Sequence, residues 1–324
     1  MNFQNLNEIN KPEFYVDTAL KRGDEKARLT RSSIKLKQRL AKSKAIELKR
    51  IEAISDFIKK TFLRILQSYP NIDDLHEFYQ QLIRLNLDYP QLKKSLGAMN
   101  WVAKQIEILH DDYHKKIKKT EDSIKINQLR REYIGRAKSL VKRIKKELEY
   151  LEYSRKIMTD FPSVKTKLFT VAIVGFPNIG KTTLLSNITD SKPEINLYPF
   201  TTKKIMVGTT LINHSKVQFL DTPGTLNRFD KMNNFEKQSF LAIKYCTNAI
   251  IFIYDLTGTY PLEQQEKLRE KLMDFDKPMI YYLSKTDLLK QEEIDNFKKS
   301  SKLQLHTEPK QILEEVKELF SKDY

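Results

Sequence analysis

The chain has a single cysteine, Cys246, so no disulfide framework can form within it. That suits a reducing compartment, and a cytoplasmic protein is expected. Cys246 itself reads as a small core residue. No run of about 18 apolar residues occurs, which excludes a helical membrane span. Met1 to Asn10 lack the apolar stretch of a secretory signal. There is no internal repeat, no low-complexity tail and no convincing strand pattern before residue 168. Acidic residues fall short of basic ones in one half only. Residues 1–167 hold 37 Lys and Arg against 22 Asp and Glu, a balance of +15; the remainder holds 21 against 20.

What is present is a basic half joined to a neutral half, across 324 residues, enough for two separate cores. Such asymmetry implies a polyanion-binding module beside a second function. Nucleic acid is favoured over membrane, because the basic helices carry no separate exposed apolar anchor. A charged surface serving solubility alone is the other reading of the same composition.

The first half reads as helices. Asn10 is placed to cap a short helix with Pro12 and Glu13 in its first turn. A long helical region is expected from about Arg28 to Ser68. Within it Ile51, Ile54, Ile58, Phe62 and Ile65 fall on one face. Asn71 can cap the next helix, and Pro90 opens another that carries Leu96, Trp101 and Ile106. Trp101 is read as a core residue. A last helix is expected from about Ser123 to Thr159, with Leu140, Ile144, Leu148 and Leu151 on one side and Lys142, Arg143, Lys145 and Lys146 on the other. Apolar stripes of this length must bury one another, which predicts an antiparallel bundle.

Phe161-Pro162-Ser163 breaks that pattern, and a boundary is set near residue 166. Short apolar runs then alternate with helical stretches. The expected strands are Leu168 to Val174, Lys204 to Thr210, Val217 to Leu220, Ala249 to Tyr254, Met279 to Leu283 and Leu303 to Leu305. The predicted fold class is therefore an antiparallel helical bundle over 1–166, followed over 167–324 by an α/β domain with a mainly parallel six-stranded sheet.

Four segments carry the chemistry. The first strand runs into Gly175-Phe176-Pro177-Asn178-Ile179-Gly180-Lys181-Thr182-Thr183, a phosphate-binding loop in the strand–loop–helix setting that gives it meaning. Two glycines allow close backbone approach, successive amides face phosphate, and the helix N-terminus adds its positive end. Lys181 supplies a point charge, and the Thr182 hydroxyl is a hard oxygen for Mg²⁺. Tyr198-Pro199-Phe200-Thr201-Thr202 offers a threonine to a metal from a segment able to switch. Asp221-Thr222-Pro223-Gly224 ends an apolar strand; its carboxylate suits the metal and its glycine amide suits a γ-phosphate. Ser284-Lys285-Thr286-Asp287 follows another apolar strand, and an aspartate there can accept from guanine N1–H and its amino group, which adenine lacks. The order of the four is far more specific than any one of them.

At these residues the chain resembles the Obg-like branch of the translation-factor-related GTPases. Ser68-Tyr69-Pro70-Asn71-Ile72-Asp73-Asp74-Leu75-His76-Glu77-Phe78-Tyr79 and the stretch Gly135 to Glu152 narrow the likeness to the Nog family of nucleolar GTP-binding proteins and their archaeal counterparts. The resemblance spans nearly the whole chain but lacks the long C-terminal extension of eukaryotic members, as an archaeal, ribosome-associated form would. It implies GTP and GDP as ligands, slow hydrolysis, and a role in maturation of the large ribosomal subunit. The implied partners are ribosomal RNA, met by the helical half, and assembly proteins; no membrane is implied, and a monomer is the default. By position the metal ligands would be Thr182, Thr202 and Asp221. The catalytic set would be Lys181, Thr202 and Gly224, with the nucleotide held by 176–183, Thr201, Thr202, Asp221, Gly224, Ser284, Lys285, Asp287 and Thr307.

Three departures from the family pattern matter. Position 284 is Ser where Asn is expected, and a hydroxyl cannot span what an amide does, a loss of roughly 1–2 kcal/mol. The His306-Thr307-Glu308 segment fits the fifth base-contacting motif poorly. Thr225 stands where many small GTPases carry the glutamine that orients water. Asn178 occupies the place at which some relatives bind potassium. The alternatives left open are a GTPase acting on another RNA and a weakly active nucleotide-binding RNA scaffold. His110 and His114, spaced i, i+4, read as a surface pair rather than a zinc site.

Overall fold

The computed structural model of the chain describes residues 3–34, 38–161, 164–189, 194–196, 205–222 and 234–323. It divides into two compact units, one of 3–74 with 87–159, the other of 75–86 with 160–324.

The first unit is helical. Helix α1 (Pro12–Ser33) starts with proline in its first turn, and its cap position is Lys11 rather than Asn10. The Asn10 amide instead donates to the Tyr15 hydroxyl at 2.9 Å. Helix α2 (Arg39–Ser68) is separate from α1, so the expected run from Arg28 is interrupted after Ser33. Its five expected core residues, Ile51 to Ile65, are all buried. Asn71 precedes a short 3-10 turn, Ile72–Asp74. Helix α3 (Glu77–Asn86) comes next in the chain, then α4 (Tyr89–Lys119), whose Asp88 cap accepts from the Gln91 amide at 3.0 Å. Helices α5 (Ser123–Arg143) and α6 (Lys145–Thr159) replace the single helix expected there. They part at Ile144, whose ψ of 26° turns the chain while its side chain stays buried. Helix α2 packs against α1, α4 and α5, and α4 also packs against α5 and α6.

One expected core residue is not in the core. Trp101 is 39 % exposed. The buried stripe of α4 runs through Leu92, Ser95, Met99, Val102, Ala103 and Ile106, and Trp101 lies one residue, about 100° of turn, to its side.

The second unit is built on a seven-stranded sheet in the order β2-β3-β4-β1-β5-β6-β7. The strands are β1 (Thr170–Val174), β2 (Glu194–Asn196), β3 (Ile205–Ile212), β4 (Ser215–Asp221), β5 (Ala249–Tyr254), β6 (Met279–Leu283) and β7 (Leu305–His306). All six expected strands are present, and β2 adds a short edge. From β4 to β7 the pairings are parallel; β2 and β3 join antiparallel. Every residue of β1 and β5 is buried, as strands covered on both faces require. Helices α7 (Lys181–Ile188), α8 (Asn234–Cys246), α9 (Leu262–Met273), α10 (Gln291–Ser301) and α11 (Pro309–Asp323) provide the cover.

Helix α3 belongs to this second unit, although its sequence lies inside the helical half. Phe78, Tyr79, Leu82 and Ile83 are fully buried, and α3 packs on α8. Gln238 of α8 donates to the Asn86 side-chain oxygen at 3.1 Å. The Tyr79 hydroxyl both donates to the Val164 carbonyl and accepts from its amide, each at 3.1 Å. A single boundary near residue 166 therefore does not describe the two units.

Candidate nucleotide site

The loop after β1 takes its shape from three residues. A Cβ on Gly175 would stand 2.3 Å from the Ile179 side chain and 3.0 Å from the Ile253 carbonyl of β5, so no other residue fits. Asn178 and Gly180 have φ of +59° and +91°. Those left-handed torsions reverse the chain and start α7, whose N-terminal end then faces the cleft. Phe176 and Ile179 are buried, with the Phe176 ring 4.6 Å from that of Tyr260. These two anchor the loop in the core, so what they offer a ligand is backbone. Pro177 has no amide hydrogen to offer.

Lys181 is nearly buried, and its ammonium donates to the Phe176 carbonyl at 2.5 Å. The Thr182 hydroxyl donates to Asp221 Oδ2 at 2.6 Å. Asp221 reaches it because β4 runs parallel to β1 with Asp221 opposite Ile173 at the carboxyl end of both strands. Burial raises the Asp221 pKa, against the lowering effects of the Thr182 hydrogen bond and the Lys181 charge. Asp221 Oδ1 is buried with no hydrogen-bond partner among the described residues. An orphaned carboxylate oxygen beside a threonine hydroxyl is a hard-oxygen donor set that fits Mg²⁺.

A cleft of about 560 Å³ joins the loop to the segment after β6: Asn178, Gly180 to Leu184 and Asn187 line one wall, Tyr282 and Ser284 to Asp287 the other. Ser284 is buried and its hydroxyl donates to the Tyr254 carbonyl at 2.9 Å. Lys285 has φ of +53°, and its ammonium meets Asp255 Oδ2 at 2.7 Å. Asp255 is 1 % exposed and also accepts from the Thr257 amide and hydroxyl. Burial raises its pKa, but the bonds from Lys285 and Thr257 outweigh that and hold the carboxyl below its ordinary range. Asp287 is exposed at the cleft wall. Thr307 is not among the lining residues; its amide donates to the Gln311 side chain at 3.2 Å. Thr201, Thr202 and Gly224 lie outside the described residues.

Sequence reasoning missed Asp255. The available signal was its place, directly after the buried run Ala249–Tyr254, just as Asp221 closes β4.

Residues 3–165 match the family described as NOG1 N-terminal helical domain, and residues 170–285 the family described as 50S ribosome-binding GTPase. The chain belongs to the NOG1 family. It is 33 % identical to an uncharacterised protein of Methanocaldococcus jannaschii over 90 % of this chain and 83 % of that one. Nucleolar GTP-binding protein 1 of Kluyveromyces lactis is 31 % identical over 80 % of this chain and 41 % of its own length. That of Saccharomyces cerevisiae is 30 % identical over 87 % and 42 %. The chain thus spans most of the archaeal relative but about two-fifths of the yeast ones. A crystal structure of nucleolar GTP-binding protein 1 from Plasmodium falciparum aligns with TM-score 0.41 at 20 % identity, over 50 % of this chain and 91 % of that one. The second unit of this NOG1 family member is a GTPase domain. The eukaryotic relatives are named for the nucleolus, which corrects the expectation of a purely cytoplasmic protein.

Proposed function

We propose that the chain is a GTP-hydrolysing switch that works in assembly of the large ribosomal subunit, with its helical unit on ribosomal RNA. The observation that carries the nucleotide half is the single cleft that sets the loop of 175–183 opposite Ser284–Asp287. The RNA half is supported by the +15 balance of residues 1–167 and by the descriptions of the two matched families.

Within this reading each residue has one task. Amides from Asn178 to Thr183 receive the β-phosphate at the start of α7. The Lys181 ammonium leaves the Phe176 carbonyl for oxygens of the β- and γ-phosphates, where it balances charge as water attacks in line. Thr182 and Asp221 would hold Mg²⁺, with Thr202 as a further ligand, and the ion would supply positive charge against the triphosphate. Asp287 accepts from guanine, and Lys285, steered by Asp255, flanks the base. Thr225 brings no side chain able to orient water as a glutamine does, so slow intrinsic hydrolysis is expected. Asn178 lines the cleft and is the candidate for a potassium requirement; equal hydrolysis rates in potassium and sodium would remove it.

Two measurements test the proposal. Calorimetry should give GDP and GTP affinities well above that of ATP; equal affinities would leave a nucleotide-tolerant scaffold instead. Sedimentation of the tagged protein should show it migrating with free large subunits, and association with transfer RNA would point to the other GTPase reading.

A further inference from the structure

We infer that Trp101, with the cations around it, is a stacking site for one unpaired base of RNA. This rests on the reading that the helical unit binds RNA, and it adds which surface does so and which form of RNA it takes.

The indole is the molecule's one tryptophan, and it stands at the surface of α4 at 39 % exposure. The Arg143 guanidinium lies over its ring, 5.8 Å from the centroid. Buried neighbours hold the helix on both sides of it, with Val102 and Ala103 in the core, so the ring is presented from a fixed backbone. Arg143 comes from the α5–α6 break, where Ile144 turns inward and leaves Lys142, Arg143, Lys145 and Lys146 all exposed. On α4 itself Lys94, Gly97, Trp101 and Lys104 follow at spacings of 3, 4 and 3, one exposed stripe. None of Lys94, Lys104, Lys142, Arg143 or Lys146 meets a carboxylate in an ion pair among the described residues. Arg143 at the ring, Lys94 and Lys104 on the same helix stripe, and Lys142 and Lys146 beside Arg143 in the chain make a site for a phosphate-linked base rather than for a neutral or cationic partner.

Gly97 points the same way. A Cβ there would meet nothing within 4 Å, so packing does not require glycine. Glycine inside a helix costs about 1 kcal/mol relative to alanine. One turn from the indole, its flat backbone leaves room for a sugar or base to lie against the ring. In duplex RNA the base faces are already stacked, so a single aromatic platform takes unpaired nucleotides.

The test uses the full chain, in which all tryptophan fluorescence comes from this one position. Short oligoadenylate should quench that fluorescence at saturation, whereas a blunt RNA duplex should bind through the cations without quenching. By anisotropy of labelled oligoadenylate, Trp101→Ala, Arg143→Gln and Gly97→Leu should each weaken binding about tenfold, and Trp101→Phe should lose less. Gly97→Leu leaves both the indole and the cations in place, so its loss cannot come from unfolding of the patch if helicity is kept. Oligoadenylate binding with no quench, or Trp101→Ala binding as tightly as the unaltered chain, overturns the site while leaving RNA binding intact. Polyglutamate competing as well as oligoadenylate overturns it too, by showing charge alone at work. Failure of every RNA to bind removes the RNA reading itself.

Discussion

Ser284 and Asp255 show how the segment proposed to read the base is held when the amide expected at position 284 is missing. The Ser284 hydroxyl gives its proton to the Tyr254 carbonyl, so it ties the end of β6 to β5 and has no donor left for a ligand. The Lys285 conformation then depends on Asp255, whose carboxylate is buried and charge-paired. Asp255→Asn should cost about 3 kcal/mol of stability in the GTPase unit, because it leaves a cation without its counter-charge. The pH dependence follows in sign. The folded pKa of Asp255 is depressed, so its stabilisation is present above the ordinary aspartate range and is lost as pH falls through the folded value. Thermal denaturation should therefore separate the variant from the unaltered chain at neutral pH, with the gap closing below about pH 4. At the base itself, Asp287→Asn should weaken GTP about a hundredfold, the loss of two hydrogen bonds to a charged acceptor, and should improve xanthosine triphosphate. Calorimetry with both nucleotides checks this; no exchange of preference would remove Asp287 as the reader. The place of Asp287 and Lys181 at one cleft was legible in the sequence because short motifs single them out. Asp255 was not, because its role comes from β5 lying beside β6, a pairing that no local pattern states.

Among the elements, helix α3 decides where the units divide. Its periodicity, with Phe78, Tyr79, Leu82 and Ile83 on one face, identifies a helix but not what it packs on. It packs on α8, so ten residues flanked on both sides by the helical unit stabilise the GTPase unit. Phe78→Ala should cost about 3–5 kcal/mol by leaving a cavity. Hydrogen exchange should show lost protection in α8 and the sheet, with α2 and α4 unchanged; loss centred on α2 would mean that α3 belongs with the bundle. The helix stripes were readable where the apolar spacing is strict, as in α2. They failed where one residue off the stripe is itself apolar, as at Trp101, and where a buried side chain hides a turn, as at Ile144. In each case the pattern counts hydrophobicity, whereas the fold selects direction.

At the scale of the whole molecule, charge and chemistry are separated. The +15 excess lies in residues 1–167, while the half that carries the phosphate loop is close to neutral. Two polyanions are then met by different physics. On the proposed reading a triphosphate would be taken by oriented amides, one near-buried lysine and a metal, over short distances that salt screens weakly. On the same reading an RNA strand would be met by exposed cations, and its binding would gain from released counterions. The two affinities should therefore part as salt is raised. If four of the cations near Trp101 each neutralise one phosphate, the logarithm of single-strand affinity should fall with the logarithm of salt at a slope of about −3, or roughly fiftyfold between 50 and 200 mM. GDP affinity over the same range should change by no more than a few fold. Fluorescence titration with oligoadenylate and calorimetry with GDP, in the same buffers, give both slopes. If GDP binding fell as steeply as RNA binding, the nucleotide would be held by surface charge, and the cleft between Gly180 and Asp287 would lose its claim to be the site. A flat RNA slope would instead show that the basic half does not bind its ligand through phosphates, and the charge asymmetry would be left to solubility alone.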